Sequence, residues 1–238
     1  MHVDTEAPSS IAIMQPYLFP YIGYFQLLRS VDLFVFYDDV HYIKGGWINR
    51  NRILVNGTAS YFTVELRGAS QNRLINEVFW NDNSPKLLRT LQVAYARAPF
   101  FTGAYALVRE CFSRAGPSIG DLAGLSVEMV AGYLGLQTRF ERSAERHRES
   151  RGLGRARRLI SIAKQHEANT YINAIGGREI YDEAEFKAEG VDLRFLEARI
   201  EPYRQFGRTF VPGLSMIDVL MFNSPDRVRE MLEEGTLC

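Results

Sequence analysis

Residues 32–40 read DLFVFYDDV. On a strand, Leu33, Val35 and Tyr37 fall on one face and Phe34 and Phe36 on the other. Apolar side chains on both faces need cover on both sides, which is the condition of a strand inside a parallel α/β sheet. Upstream, SIAIMQ (10–15) is a second short apolar run, and Ile22, Phe25, Gln26 and Arg29 between the two lie at helical spacing. Strand, helix and strand in so short a stretch make a βαβ unit.

The rest of the chain is compatible with that start. KGGWINRNRILVNG (44–57) is an extended excursion closed by Asn56-Gly57, with YFTVEL (61–66) able to pair back across the turn. Ser84-Pro85 opens a helical stretch, and apolar spacing predicts three helices over roughly 84–135. Alternation then resumes: TRFERS, a helix sharing Ala156, Leu159, Ile160 and Ala163, then TYINAIGG, LRFLEA and the helical LSMIDVLM. The predicted architecture is α/β, a Rossmann-like and mostly parallel sheet with a β-hairpin excursion and a helical insertion. Residues 1–9 are expected to be flexible and 10–238 to form a single domain.

Composition narrows function by exclusion. Lys plus Arg and Asp plus Glu are both 28, so the formal net charge is zero. That disfavours a general nucleic-acid or membrane-surface binder. No apolar run approaches the ~20 residues of a membrane helix, and MHVDTEAPSS lacks a secretory leader pattern. A cytoplasmic protein is expected. The two cysteines make no disulfide framework. The sequence holds no P-loop, no GxSxG and no compact His/Cys/Asp spacing of a metal site, and no cofactor is legible.

In open parallel sheets ligands bind beyond the carboxyl ends of strands. Three polar or permissive clusters follow apolar runs here: Gln15-Pro16, Asp38-Asp39, and Gly176-Gly177. The stretch MQPYLFPYIGYF (14–25) joins the first strand to the first helix. Its prolines stiffen it, Gly23 admits a close approach, and rings such as Tyr17 and Tyr24 can wall a stacking pocket. Asp38, Asp39 and His41 are the candidate acid–base groups; on a strand, the two adjacent aspartates would face opposite ways. WINRNRI (47–53) places Arg50 and Arg52 on one strand face and Asn49 and Asn51 on the other. Guanidinium forks suit phosphate or carboxylate, with Lys44 and Trp47 beside them. Gln15, Asp39, Asn49, Arg50 and Gly177 are expected to line one cleft. A basic run, Arg142 to Arg158, is either a solvated helix start or a cover for a polyanion.

The QP-x-x-x-P-x-x-GYF opening, FVFYDDV, WINRNRI, YIN-x-x-GG and LSMIDVLMF, in this order, resemble the WbqC-like family from about residue 10 to 223. Departures are His41 in place of a common Gln, Asn173-Ala174 in place of Ser-Gly, and Gly45-Gly46 in place of a more polar pair. The resemblance implies a role in polysaccharide or secondary-metabolite biosynthesis. The strand–loop–helix opening is also similar in layout to HIGH-type nucleotidyltransferases, without their histidines.

Three functions follow as expectations. The first is a transferase, of the acyl or aminoacyl type, acting on an amine of a small nucleotide-linked or carboxylated substrate. The partner would be a small molecule such as a nucleotide-linked sugar or an amino-acid derivative. In this reading Asp38, Asp39 or His41 is the base, Gln15 and Asn49 orient the acyl oxygen, and Arg50 and Arg52 hold the anion. The second is ATP-dependent nucleotidyl or adenylyl transfer. The third is a non-catalytic binding protein.

Overall fold

The computed structural model describes residues 7–238. The chain forms β1 (Ser10–Met14), α1 (Ile22–Arg29), β2 (Leu33–Phe36), β3 (Arg50–Val55), β4 (Thr58–Thr63), β5 (Leu66–Arg67) and β6 (Phe79–Trp80). Three helices follow: α2 (Ser84–Tyr95), α3 (Phe101–Arg114) and α4 (Ile119–Tyr133). The remainder is β7 (Arg139–Arg142), α5 (Ser143–Arg146), α6 (Arg155–Gln165), β8 (Thr170–Ala174), α7 (Glu183–Ala188), β9 (Asp192–Glu197), α8 (Met216–Phe222), α9 (Pro225–Leu232) and β10 (Thr236–Leu237).

Six strands make the central sheet in the order β10-β9-β8-β1-β2-β7. All neighbours are parallel except β10, which pairs antiparallel with β9. The chain therefore builds outward from β1 through β2 to β7, returns to the other side of β1 with β8, and builds outward again. This is the doubly wound plan, and β1/β8 is its topological switch point.

The two-faced reading of the strands explains the layers. Ile11, Ile13, Leu33 and Val35 pack on one side with Leu159, Ile162 and Phe186 from α6 and α7. Ala12, Phe34 and Phe36 pack on the other with α1, the three-helix insertion, α8 and α9. The hairpin β3–β4 is closed by Asn56 and Gly57, both with positive φ (50° and 78°). A two-residue turn of that hand matches the twist of the paired strands. Among the described residues no helix is long and apolar enough to cross a membrane. Of the N-terminal stretch expected to be flexible, residues 1–6 lie outside the described residues, while Ser9 donates its backbone N–H and hydroxyl to Asp32.

Gly23 has a packing reason. A Cβ there would stand 2.5 Å from the Tyr21 ring and 2.6 Å from the Ala198 methyl. The close approach is by α1 to the chain leaving β9. Gly23→Ala is expected to lower stability by about 1–3 kcal/mol, as overpacking does, measurable by urea unfolding; an unchanged midpoint would mean the contact relaxes freely.

Candidate functional site

The loop between β1 and α1 is fastened at several points. Pro16 and Pro20 limit its backbone, and Phe19 is held at φ 39°, a region that costs a non-glycine residue of order 1 kcal/mol or more. Its surroundings over-determine it. Phe19 N–H donates to Ser126 Oγ (2.9 Å), and its carbonyl accepts from Asn51 Nδ2 (2.9 Å) and Ser215 Oγ (2.7 Å). Leu18 N–H donates to the Trp47 carbonyl (3.0 Å) and Met216 N–H to the Pro20 carbonyl (2.9 Å). The double-proline aromatic stretch is thus a rigid frame.

The frame borders a pocket of about 430 Å³, within the ~300–1,000 Å³ of small-molecule sites. It opens at the switch point. Met14, at the end of β1, and Ala174, at the end of β8, form its base. Tyr17, Pro20, Tyr21, Gly23 and Tyr24 come from the loop and the first turn of α1. Trp47, Asn51 and Arg52 enter from the excursion, and Ile200 and Gly213 from the chain after β9. The Tyr17 and Tyr24 rings lie 5.7 Å apart, and the Tyr24 hydroxyl donates to the Gln15 carbonyl (2.9 Å). Burial pushes the Tyr17, Tyr21 and Tyr24 phenols up, Tyr24 most, so all three remain neutral donors at ordinary pH.

Arg52 is the cation of this pocket. One terminal nitrogen donates to the Gly213 carbonyl (3.1 Å), and the guanidinium stands 5.9 Å from the centre of the Trp47 ring. Its Nε is buried without a partner. A buried unpaired donor on a charged group is costly, and an anionic ligand would satisfy it.

The other candidates lie elsewhere. Gln15, Asp39, Asn49, Arg50 and Gly177 do not share this pocket; none of the five lines it. Asn49 is buried, accepting from the Tyr42 hydroxyl (2.9 Å) and donating to the Val64 carbonyl (2.8 Å). Arg50 does share a strand face with Arg52, yet it turns back to the carbonyls of Gly45 and Gly46 and lies 4.4 Å over the Tyr61 ring. Asn51 is spent on the frame: Nδ2 donates to Leu18 and Phe19 carbonyls, and Oδ1 accepts from Arg52 N–H. Lys44 and His41 are exposed. Gly176 is exposed, and a Cβ on the buried Gly177 would collide with Asn173 Nδ2 at 2.7 Å.

Asp38 and Asp39 do not point to opposite faces. Strand β2 ends at Phe36, so alternation stops before them. Both carboxylates converge on the Ser143 hydroxyl. Asp38 also accepts from Ala144 N–H (2.9 Å) and lines a separate polar cleft with Arg142 and Arg148. Burial raises its pKa. Asp39 takes two contacts of 2.7 Å from Arg158 and one of 2.6 Å from Arg151 Nε. Burial pushes its carboxyl up, but Ser143, Arg151 and Arg158 together hold it below the usual carboxylate range. The basic run therefore partly folds inward: Arg158 is 5% exposed. Ile200 and Gly213 are pocket walls that the sequence did not point to, whereas Tyr21 was among the rings expected to wall a pocket. Nothing local marks Ile200 or Gly213.

A doubly wound α/β protein with a ligand-sized cleft at its switch point is the class that fold and site define. The chain belongs to the WbqC-like protein family, whose model matches residues 15–230. It is similar to Uncharacterized protein Rv1507c of Mycobacterium tuberculosis (strain ATCC 25618 / H37Rv), 27% identical over 228 residues, which covers 92% of this chain and 97% of that protein. No solved structure matches the chain.

Proposed function

We infer that the β1/β8 cleft binds a small molecule joining a flat or apolar body to an anionic group, and that the chain is a transferase acting on a nucleotide-linked or carboxylated substrate. The observation that carries this is Arg52: a guanidinium with a buried, unpartnered Nε in a pocket otherwise walled by Tyr17, Tyr21, Tyr24 and Trp47. The rings offer stacking surface and the guanidinium a fork for phosphate or carboxylate. The N-terminus of α1 borders the same pocket, and its dipole favours negative charge there. Asp38, Asp39 and His41 do not line the cleft, so the reading assigns none of them as base.

Adenylyl or nucleotidyl transfer is the second reading. The strand order favours it, because nucleotides bind at switch points of doubly wound sheets. It requires ATP-dependent pyrophosphate release, which the first does not.

A thermal-shift screen of ATP, sugar nucleotides, acyl-CoAs and aminoacyl donors tests both, since a ligand of the native state raises its stability by RT ln(1 + [L]/Kd). With a ligand in hand, Arg52→Lys is expected to weaken binding by about 1.5–3 kcal/mol, the worth of a charged hydrogen bond, or roughly tenfold or more in Kd. Arg50→Lys leaves Kd unchanged. The opposite ranking would move the anion site away from the cleft.

A further inference from the structure

At the far edge of the sheet, Glu141 of β7, His147 just after α5 and His166 at the end of α6 bring three ligand atoms together. His147 Nε2 is 3.1 Å from Glu141 Oε2, His166 Nε2 is 3.2 Å from the same oxygen, and the two Nε2 atoms are 3.5 Å apart. The three candidate ligand atoms all lie within 4.8 Å of one another. A tetrahedral ion with bonds of about 2.0–2.1 Å spans ligand–ligand edges of about 3.3 Å, which the observed triangle brackets.

Hydrogen bonding fixes which nitrogen of His147 is available. Its Nδ1 stands 2.7 Å from Gln165 Oε1, while the amide nitrogen of Gln165 is directed to the Arg146 carbonyl (3.5 Å). Nδ1 therefore carries the hydrogen, and in the neutral ring the lone pair on Nε2 faces a carboxylate oxygen. Two acceptors at 3.1 Å need a cation between them. A ligating histidine whose other nitrogen donates to a fixed acceptor is the usual outer support of a metal site. His147 is buried, whereas Glu141 and His166 are 24% and 19% exposed, so water can reach the triangle.

We propose that Glu141, His147 and His166 form a binding site for a divalent transition-metal ion of the Zn²⁺ class, with water in the fourth position. Two imidazoles and one carboxylate select such an ion over Mg²⁺ or Ca²⁺, which prefer oxygen ligands. Arg139 also bears on His166, and the Glu141 carboxylate opposes its charge. The ion would clamp the end of α6 to the edge strand.

The test uses the full chain without a histidine tag, stripped with chelator. The other histidines are His2 and His41, and the exposed Cys238 is replaced, as Cys238→Ser, to remove thiol binding. Zn²⁺ is expected to bind at one equivalent and raise the melting temperature, Mg²⁺ to leave it unchanged, and Co²⁺ to give visible d–d absorption. Glu141→Gln and His166→Asn, both at partly exposed positions, should weaken Zn²⁺ binding at least tenfold. A chain with the triangle intact and neither Zn²⁺ uptake nor a melting shift overturns the proposal by itself and leaves a proton between the rings and Glu141. An equal shift in both variants overturns it too.

Discussion

Asp39→Ala is expected to lower the unfolding free energy by about 3–5 kcal/mol, the loss seen when one partner of a buried ion pair is removed. The reason is Arg158. It is 5% exposed, and besides Asp39 it meets the Ser150 hydroxyl at 3.1 Å and Tyr37, whose ring centre is 4.5 Å away, both neutral. Without the carboxylate its charge stays buried and uncompensated. Arg151 contributes less, because its side chain is 42% exposed and screened by water. Replacing both partners, as Asp39→Leu with Arg158→Met, should recover most of the loss, since an apolar pair carries no desolvation penalty. Urea unfolding of the single and double variants measures this; a single-variant loss under about 1 kcal/mol would class the pair with surface bridges. The pH dependence follows in sign. The folded pKa of Asp39 lies below its unfolded value near 3.9, so its stabilisation is complete above that value and is lost as pH falls through the folded pKa.

The second large effect is at Asp218. This carboxylate is fully buried and accepts from the Tyr95 hydroxyl (2.7 Å), the Tyr203 hydroxyl (2.6 Å) and Gln205 Nε2 (2.9 Å), all neutral. Tyr95 in turn accepts from Leu54 N–H (2.7 Å). One side chain of α8 thus orders the hairpin, α2 and the stretch after β9. Asp218→Ala orphans the Tyr95 and Tyr203 hydroxyls, while Gln205 Nε2 keeps the Val211 carbonyl (3.2 Å), and should cost about 2 kcal/mol or more, each unsatisfied group costing about 1–3 kcal/mol. Burial, only partly offset by the three donors, raises the Asp218 pKa, the reverse of Asp39. Its contribution is therefore greatest below the unfolded value near 3.9 and declines as pH climbs toward the folded one. Stability profiles of Asp39→Asn and Asp218→Asn, each subtracted from wild type, should slope in opposite directions with pH. Parallel slopes would contradict the assignment of either group.

What the sequence made legible is what depends on neighbours a few residues away. Leu33–Phe36 had to be covered twice, and Asn56-Gly57 had to turn. The frame loop was visible as prolines among rings, and Arg52 as a guanidinium on a short strand. What was hidden depends on distant chain. Asp38 and Asp39 were read as strand residues, but Ser143 gathers them from 105 and 104 residues away. Arg50 and Arg52 look equivalent in WINRNRI; only the fold of Gly45-Gly46 and the placement of Tyr61 tell them apart. Glu141, His147 and His166 have no compact spacing because α6 must run its length before His166 returns to β7.

The fastening of Phe19 ties the readiness of the cleft to the order in which the chain assembles. Its partners Asn51, Ser126 and Ser215 are 32, 107 and 196 residues away. Loop closures of that span lose chain entropy before any contact offsets it. The left-handed Phe19 conformation lacks one of its three fastenings until Ser215 has docked. A nascent chain therefore cannot present this cleft while its last fifth is still unmade, and a partly folded one exposes the tyrosines without the geometry to use them.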